Sequence, residues 1–564
     1  MKARVGAVGR VCEAVAWAPR SFSLASVVAA LVLAACLPAT PPLAKQAGEP
    51  VAEASSAANI TAASPAAPSA RAAPASTPTG TRSPTSRIAN RTPGTELAGG
   101  PTALLPPPDA SLYLQALRSP AMVQGLDLSS MNYYRLDVTL SSDLAQLSGT
   151  EQIRFTNRQA VPLASVYLHL FPNLWHTGMR VFHMKVEGQP VQPALESANA
   201  LVRVPLSVPL APGATTVITL SFSDPIPANG SVGAYGEFAN LGGVVALAHF
   251  YPTVAAYDAG GWHLETPAKQ GDVLYNDASL YDVTLTAPSE LTVVATGATV
   301  GRVEQGNGTA TWRLAGGPMR DFNFAASAQY LSASAHVGEV LVNSYFLPGD
   351  AAGGTLALEW AADALRVYEA QFGPYPYGEL DLAETATSAG GIEYPGMVVV
   401  AANLYSDPDR RDFFESATVH EVAHQWWYNV VGNDQVNAPW LDEALAQYST
   451  YLYFRTVYGD AGERGFVGAM RERWARVDYA ERPIGLPVSA YQGREYGAIV
   501  YGRGPLFLLA LRDRIGEARM AKLLRQYYTE NAWRVATPAG FHALGEKVSG
   551  QDLSALFKQW VYPP

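Results

Sequence analysis

A chain of 564 residues exceeds one ordinary domain, so two or more folded units joined by unstructured segments are expected. A net charge of -10 with only 16% charged residues leaves no basic face to neutralise phosphates, which argues against nucleic acid as a partner. The only two cysteines, Cys12 and Cys36, lie near the amino end, which excludes a disulfide framework or a thiolate metal site in the folded part.

Lys2, Arg4, Arg10 and Arg20 precede a 14-residue apolar and small-residue run, Phe22 to Ala35. The run is short for a membrane span and suits a signal-peptide core. It closes with Leu33-Ala34-Ala35-Cys36, which resembles the lipobox of bacterial lipoproteins, with the Cys36 thiol as lipid acceptor. Residues 1–36 therefore read as a lipoprotein-type signal peptide, and the protein as lipid-anchored at the bacterial surface or in the periplasm. A conventional cleavage, or a retained anchor, also puts the body outside the cytoplasm.

Residues 37–111 are dominated by Ala, Pro, Ser and Thr without periodicity, too apolar-poor to offset chain entropy, and read as a disordered tether. Beyond it, Tyr134 to Leu140, Glu151 to Phe155 and Val166 to Leu170 alternate apolar and polar residues. Period two in short runs predicts antiparallel sheet with one wet face. Similar strands at Thr216 to Phe222, Tyr281 to Leu285 and Thr309 to Leu314 make residues 112–332 an all-β sandwich or saddle.

After a strand at Val340 to Phe346 the spacing becomes helical, with Leu356, Trp360, Leu365 and Tyr368 near one face. Helices are expected at Asp412 to Val430, Leu441 to Tyr458, Arg503 to Arg514, Glu517 to Tyr528 and Leu553 to Trp560. Residues 333–564 are thus a mainly α second domain, and the fold class is α+β.

His420-Glu421-Val422-Ala423-His424 places two imidazoles four apart, one turn apart on one helix face. That is the spacing of a bidentate clamp for zinc. Glu421, displaced around the helix, suits a carboxylate that activates water without ligating the metal. A third ligand is needed, and Glu443 on the following helix, after 18 intervening residues, is the best candidate. Two histidines and a glutamate leave a fourth position open, the pattern of a catalytic zinc, one per chain. Trp426, Trp427 and Trp440 read as core aromatics packing these helices. The other seven histidines lack ligand spacing and read as structural or exposed.

The stretch HEVAHQWWYNVVGNDQVNAPWLDEALAQY, His420 to Tyr448, resembles the gluzincin aminopeptidases, the family of aminopeptidase N and leukotriene hydrolase. Phe372 to Tyr377, Ser554 to Trp560 and, in the β region, Arg320-Asp321-Phe322 extend it over all but the signal and stalk. It implies a thermolysin-like catalytic domain acting on peptides. Gly390-Gly391-Ile392-Glu393-Tyr394 is similar to the family's Gly-x-Met-Glu-Asn segment, which makes Glu393 the anchor for the substrate ammonium. Gly390 and Gly391 would let the backbone approach the peptide. Tyr501, in Tyr501-Gly502-Arg503-Gly504, matches the tyrosine that donates to the oxyanion, and Tyr496 is a second lining residue. Ile392 replaces Met, Tyr394 replaces Asn, Ala444 replaces a common Gly and Arg503 replaces Lys.

The resemblance implies a zinc-dependent aminopeptidase with Glu421 and Tyr501 catalytic. Three rivals remain: an endopeptidase with the same zinc chemistry, an enzyme that like leukotriene hydrolase also opens an epoxide, for which nothing in the sequence speaks, and an inactive surface binding protein on a peptidase scaffold. The preferred amino-terminal residue and the oligomeric state are not legible.

Overall fold

In strand β1, Tyr133–Leu140, the side chains of Tyr134, Leu136, Val138 and Leu140 are buried while Asp137 and Thr139 face water. This alternation is repeated through the first half of the protein and builds its sheets. The computed structural model describes residues 108–563 except 177, 229–233 and 269; the signal, the lipobox and nearly all of the tether lie outside the described residues.

The largest sheet contains β1 with β2 (Gln146–Thr156), β3 (Arg180–Val186), β4 (Gln189–Pro190), β5 (Thr215–Pro225), β6 (Ser279–Pro288), β7 (Ala298–Glu304) and β8 (Thr309–Met319). Their order in space is β7-β8-β6-β1-β2-β5-β3-β4. All neighbours run antiparallel except β1 and β6, which are parallel, with Tyr133 opposite Leu280 and Thr139 opposite Thr286. The expectation of a wholly antiparallel sheet fails at this one pair. Two four-stranded sheets and a two-stranded ribbon, Tyr257–Asp258 with Gly261–Trp262, complete the β-rich region. One sheet joins Thr253–Val254, Leu163–His169, Leu201–Leu210 and Ala194–Glu196; the other joins Thr292–Ala295, Phe324–Ser327, Val244–Leu247 and Phe238–Leu241.

The second half is helical but contains a five-stranded sheet, of which the sequence reading catches the strand at Val340–Phe346 and misses the strands that follow. Strands β9 (Leu331–Val337), β10 (Val340–Phe346), β11 (Glu379–Thr385), β12 (Gly391–Ile392) and β13 (Met397–Ala401) lie in the order β9-β10-β11-β13-β12. Pairs β10/β11 and β11/β13 are parallel, and β13 is buried along its whole length. A strand covered on both faces shows no alternation to detect.

Helix α1, Ala351–Phe372, buries Trp360, Ala361, Ala364, Leu365, Tyr368 and Phe372, and packs on β9, β10 and helix α2, Arg411–Ala423. The Tyr368 hydroxyl donates to the Val419 carbonyl of α2 at 2.9 Å, which fixes their spacing. Helix α3, Trp440–Ala475, is interrupted at Gly459, whose φ of 62° only glycine adopts readily. Its first segment is the predicted helix ending at Tyr458. Helices α4 (Gly504–Ile515), α5 (Glu517–Asn531), α6 (Pro538–Ser549) and α7 (Ser554–Trp560) close the chain. No helix among the described residues is long and apolar enough to cross a membrane.

Helix α2 stops at Ala423, short of the expected Val430, for a tertiary reason. The Arg320 guanidinium from the end of β8 takes the carbonyls of Tyr428 (2.7 Å), Val430 (3.2 Å), Arg534 (2.7 Å) and Asn276 (2.9 Å). The rigid fork satisfies two carbonyls, of Tyr428 and Val430, that a continuing helix would have used internally, and ties them to Asn276 and Arg534. Gly432 is required here, because a Cβ would stand 2.1 Å from the Arg320 Cζ. One continuous apolar core, including Leu136, Val204, Phe322, Trp360, Trp426 and Phe507, spans both regions.

Candidate metal centre and peptide cleft

The His420 and His424 rings leave α2 one turn apart, and the first turn of α3 brings Glu443 against them. His420 Nε2 lies 3.1 Å from His424 Nε2, and Glu443 Oε2 lies 3.2 Å and 3.5 Å from these two atoms. A tetrahedral ion with bonds of about 2.0–2.1 Å holds its ligand atoms about 3.3 Å apart. The triangle therefore has the size of a zinc site. All three residues are buried. His424 Nδ1 meets the Trp427 carbonyl at 2.9 Å; a proton there leaves Nε2 free as a ligand.

The aromatic residues between the two motifs hold the helices in this register. Trp426 Nε1 donates to the Gly373 carbonyl at 3.0 Å, and Trp427 Nε1 donates to Ser449 Oγ on α3 at 2.8 Å. Trp426, Trp427 and Trp440 are almost fully buried, as core aromatics should be.

Charge in the cluster is unbalanced toward the negative. Burial keeps His420 neutral, its pKa pushed down to about 4. Although burial opposes it, the carboxylates of Glu393, Glu443 and Glu421 hold His424 well above its ordinary value. Glu421 itself is pushed well above the usual carboxylate range by burial and by the charges of Glu393 and Glu443. A group of three acids and two imidazoles with this tension is one that a divalent cation would relieve.

These residues line a solvent-open cleft of about 990 Å³ that also holds Glu393, Gly390, Gly391, Tyr496 and Tyr501. Strand β12 edges this cleft. A Cβ on Gly391 would stand 2.4 Å from the Glu421 Cγ, so only glycine lets the strand lie against that side chain. Glu393 is held at both ends: Asn429 Nδ2 donates to its carbonyl at 2.7 Å, and Gln435 Nε2 donates to its Oε1 at 2.9 Å. Gln435 donates also to Asp442 Oδ2 at 2.8 Å, connecting Glu393 to the residue before Glu443. Burial raises the Glu393 pKa, with Gln435 and His424 acting against it.

Tyr501 lies in an i→i+5 turn, Ile499–Arg503, that leads into α4, and its hydroxyl donates to Glu443. Such wide turns re-aim one side chain out of a helix and recur at functional sites. Every residue proposed for the site from sequence thus meets in one cleft. Gln435, Asp272 and Arg473 join them without any local motif to mark them. Asp272 and Arg473 line the cleft, Asp272 from the loop before β6, and Gln435 stands behind Glu393. Tyr394 also lies behind Glu393, its hydroxyl 3.4 Å from Glu237 and its ring edge-on to His249, so the bulk added there is absorbed by the β-rich region. His263, isolated in sequence, stands within reach of Glu265, Asp434 and Asp258.

Residues 356–560 match the model of the Peptidase family M1 domain. Over 236 residues the chain is 27% identical to aminopeptidase 2 of Candida albicans, covering 39% of this chain and 25% of that protein. It is 28% identical over 234 residues to the alanine/arginine aminopeptidase of Saccharomyces cerevisiae, covering 39% and 27%. The match spans about a quarter of the length of these curated relatives. The crystal structure of an M1 zinc metallopeptidase from Deinococcus radiodurans superposes with a TM-score of 0.59 at 22% identity, covering 80% of this chain and 96% of that one. A mutant of that protein bound to a Tyr-Ser-Ala substrate covers 77% and 95%, with a TM-score of 0.58 at 21% identity. The sheet-rich first half and helical second half thus share the fold of these two-domain M1 metallopeptidases, and residues 356–560 are similar to the peptidase family M1 domain.

Proposed function

We propose that this protein is a zinc-dependent aminopeptidase that removes single residues from the amino end of peptides. The observation that carries the reading is that Glu393 shares one cleft with the His420, His424 and Glu443 triangle. A carboxylate beside a catalytic metal is what an exopeptidase needs to count residues from the free amino end.

His420, His424 and Glu443 would hold the zinc, which when bound polarises the scissile carbonyl and acidifies water. Glu393, fixed by Gln435 and Asn429, receives the substrate ammonium and sets the register. The backbone at Gly390 and Gly391, beside Glu421, has room to run along the peptide. Glu421 takes the proton of the attacking water and passes it to the departing amine, acting as base and then acid. Tyr501 donates its hydroxyl to the developing oxyanion. An endopeptidase would have no use for the Glu393 anchor, and an inactive scaffold no use for the intact set.

The deciding experiment is hydrolysis of aminoacyl nitroanilides, free and amino-blocked, by the zinc-loaded protein and its Glu421→Gln and Glu393→Ala variants. Turnover confined to free amino ends, abolished in Glu421→Gln and strongly weakened in Glu393→Ala, supports the reading. Equal turnover of blocked and free substrates eliminates it. We also propose, on the amino-terminal sequence, a lipid at Cys36 and an extracytoplasmic location. Metabolic labelling with a fatty acid, lost in Cys36→Ala, checks this.

A further inference from the structure

Arginines drawn into the helical half generally have their charge answered. Arg503 spreads its fork over the carbonyls of Arg482, Trp560 and Gln559, and Arg512 meets Asp513 and Glu463. Arg473, near the end of α3, differs. It lines the cleft with His420, Glu421 and Tyr501, and its Cζ stands 5.6 Å from the Tyr501 ring centroid. Among the described residues its guanidinium has no hydrogen bond and no ion pair. Arg473 is half-buried, stacked over the Tyr501 ring, and its guanidinium nitrogens remain available to an anion that enters the cleft. Burial and the neighbouring Arg476 draw its pKa down to about 10, which still leaves it a cation at neutral pH.

Its place in the cleft says which anion. A small recess of about 30 Å³ lies behind Glu393, lined by Tyr394 and Gln435, and does not include Arg473. Arg473 belongs to the wider cleft that continues past His420. Glu393 acts electrostatically on His424, and Arg473 on His420, so a peptide with its ammonium on Glu393 and its first carbonyl at the metal triangle would run on toward Arg473. In a dipeptide the next charged group is the terminal carboxylate.

We propose that Arg473 binds the terminal carboxylate of dipeptides, so that this cleft selects very short peptides over peptide amides. The inference rests on the aminopeptidase reading. It separates from a merely structural role, in which Arg473 only supports the Tyr501 ring.

The test compares Leu-Ala with Leu-Ala amide on the zinc-loaded full chain, in wild type, Arg473→Ala and Arg473→Lys. A charge-assisted pair predicts a preference for the free acid of about 10-fold or more in kcat/KM. That ratio falls to near one in Arg473→Ala and returns in part in Arg473→Lys. Equal use of acid and amide by the wild type, or an unchanged ratio in Arg473→Ala, overturns the proposal. Calorimetric binding of both ligands to Glu421→Gln reads the same ratio without turnover. Acetyl-blocked Leu-Ala, cleaved as fast as the free peptide, would instead sink the aminopeptidase reading and leave the ratio readable.

Discussion

A Cβ placed on Gly391 would lie 2.4 Å from the Cγ and 2.7 Å from Oε1 of Glu421, so the strand that borders the cleft is shaped around the Glu421 side chain. Gly391→Ala must therefore push the Glu421 carboxylate aside. The expected result is a fall in kcat of roughly 10²-fold, the usual consequence of misplacing a reacting group by about 1 Å. Metal content should remain at the wild-type level. Elemental analysis beside steady-state kinetics checks this, and an unimpaired Gly391→Ala enzyme would contradict the contact.

Tyr501→Phe removes the hydroxyl that faces Glu443 and the cleft. The loss of one oxyanion donor predicts a decrease in kcat of about 10²–10³-fold with little change in KM. A change confined to KM would assign the tyrosine to ground-state binding.

Arg320 is fully buried and answers four carbonyls that join the β-rich region to the turn after α2. Arg320→Met leaves those acceptors unpaired, with an expected loss of about 3–5 kcal/mol in urea unfolding. Arg320→Lys should recover little of it, since a point charge cannot span the fork. Full rescue by lysine would show that charge alone matters.

Glu151 faces inward from β2 on the same side as Leu147 and Ile153, and neither of its oxygens finds a partner among the described residues. Burial alone drives its pKa well above the ordinary 4.5. The folded state keeps a proton that the unfolded chain releases above 4.5, so this group's contribution is intact at lower pH and is lost as pH rises toward the folded value. Within that window the slope is about 1.4 kcal/mol per pH unit. Glu151→Gln should unfold in urea with a flatter dependence between pH 5 and 8 than the wild type. Parallel curves would mean that the side chain has found water or a partner.

Chemistry is legible in the chain where it is local. The spacing of His420, Glu421 and His424 within one helix turn, with the interval to Glu443, specifies a three-ligand triangle from chain positions alone. The alternation in β1 and the helical spacing through Tyr368 likewise announce their elements. Strands β11 and β13 give no such sign, because burial on both faces erases the alternation. The early end of α2 is also hidden, since Arg320 lies some 100 residues before the carbonyls it takes. The replacement of lysine by Arg503 reads in sequence as a kept charge. In the fold it is a fork over three carbonyls, stacked 4.4 Å over Trp560, where lysine would do less.

The sequence by itself marked His420 and His424 as candidate ligands with Glu421 beside them, because side chains one turn apart on a helix carry their geometry with them, whereas Glu393 and Tyr501 were legible only through a family resemblance. Only tertiary structure decided what holds and surrounds them: Gln435 steadying Glu393, the fit of Gly391 to Glu421, the Arg320 fork, and Arg473 standing unanswered in the cleft. Those relations join residues distant along the chain, and nothing in local spacing encodes which of many buried polar groups will meet.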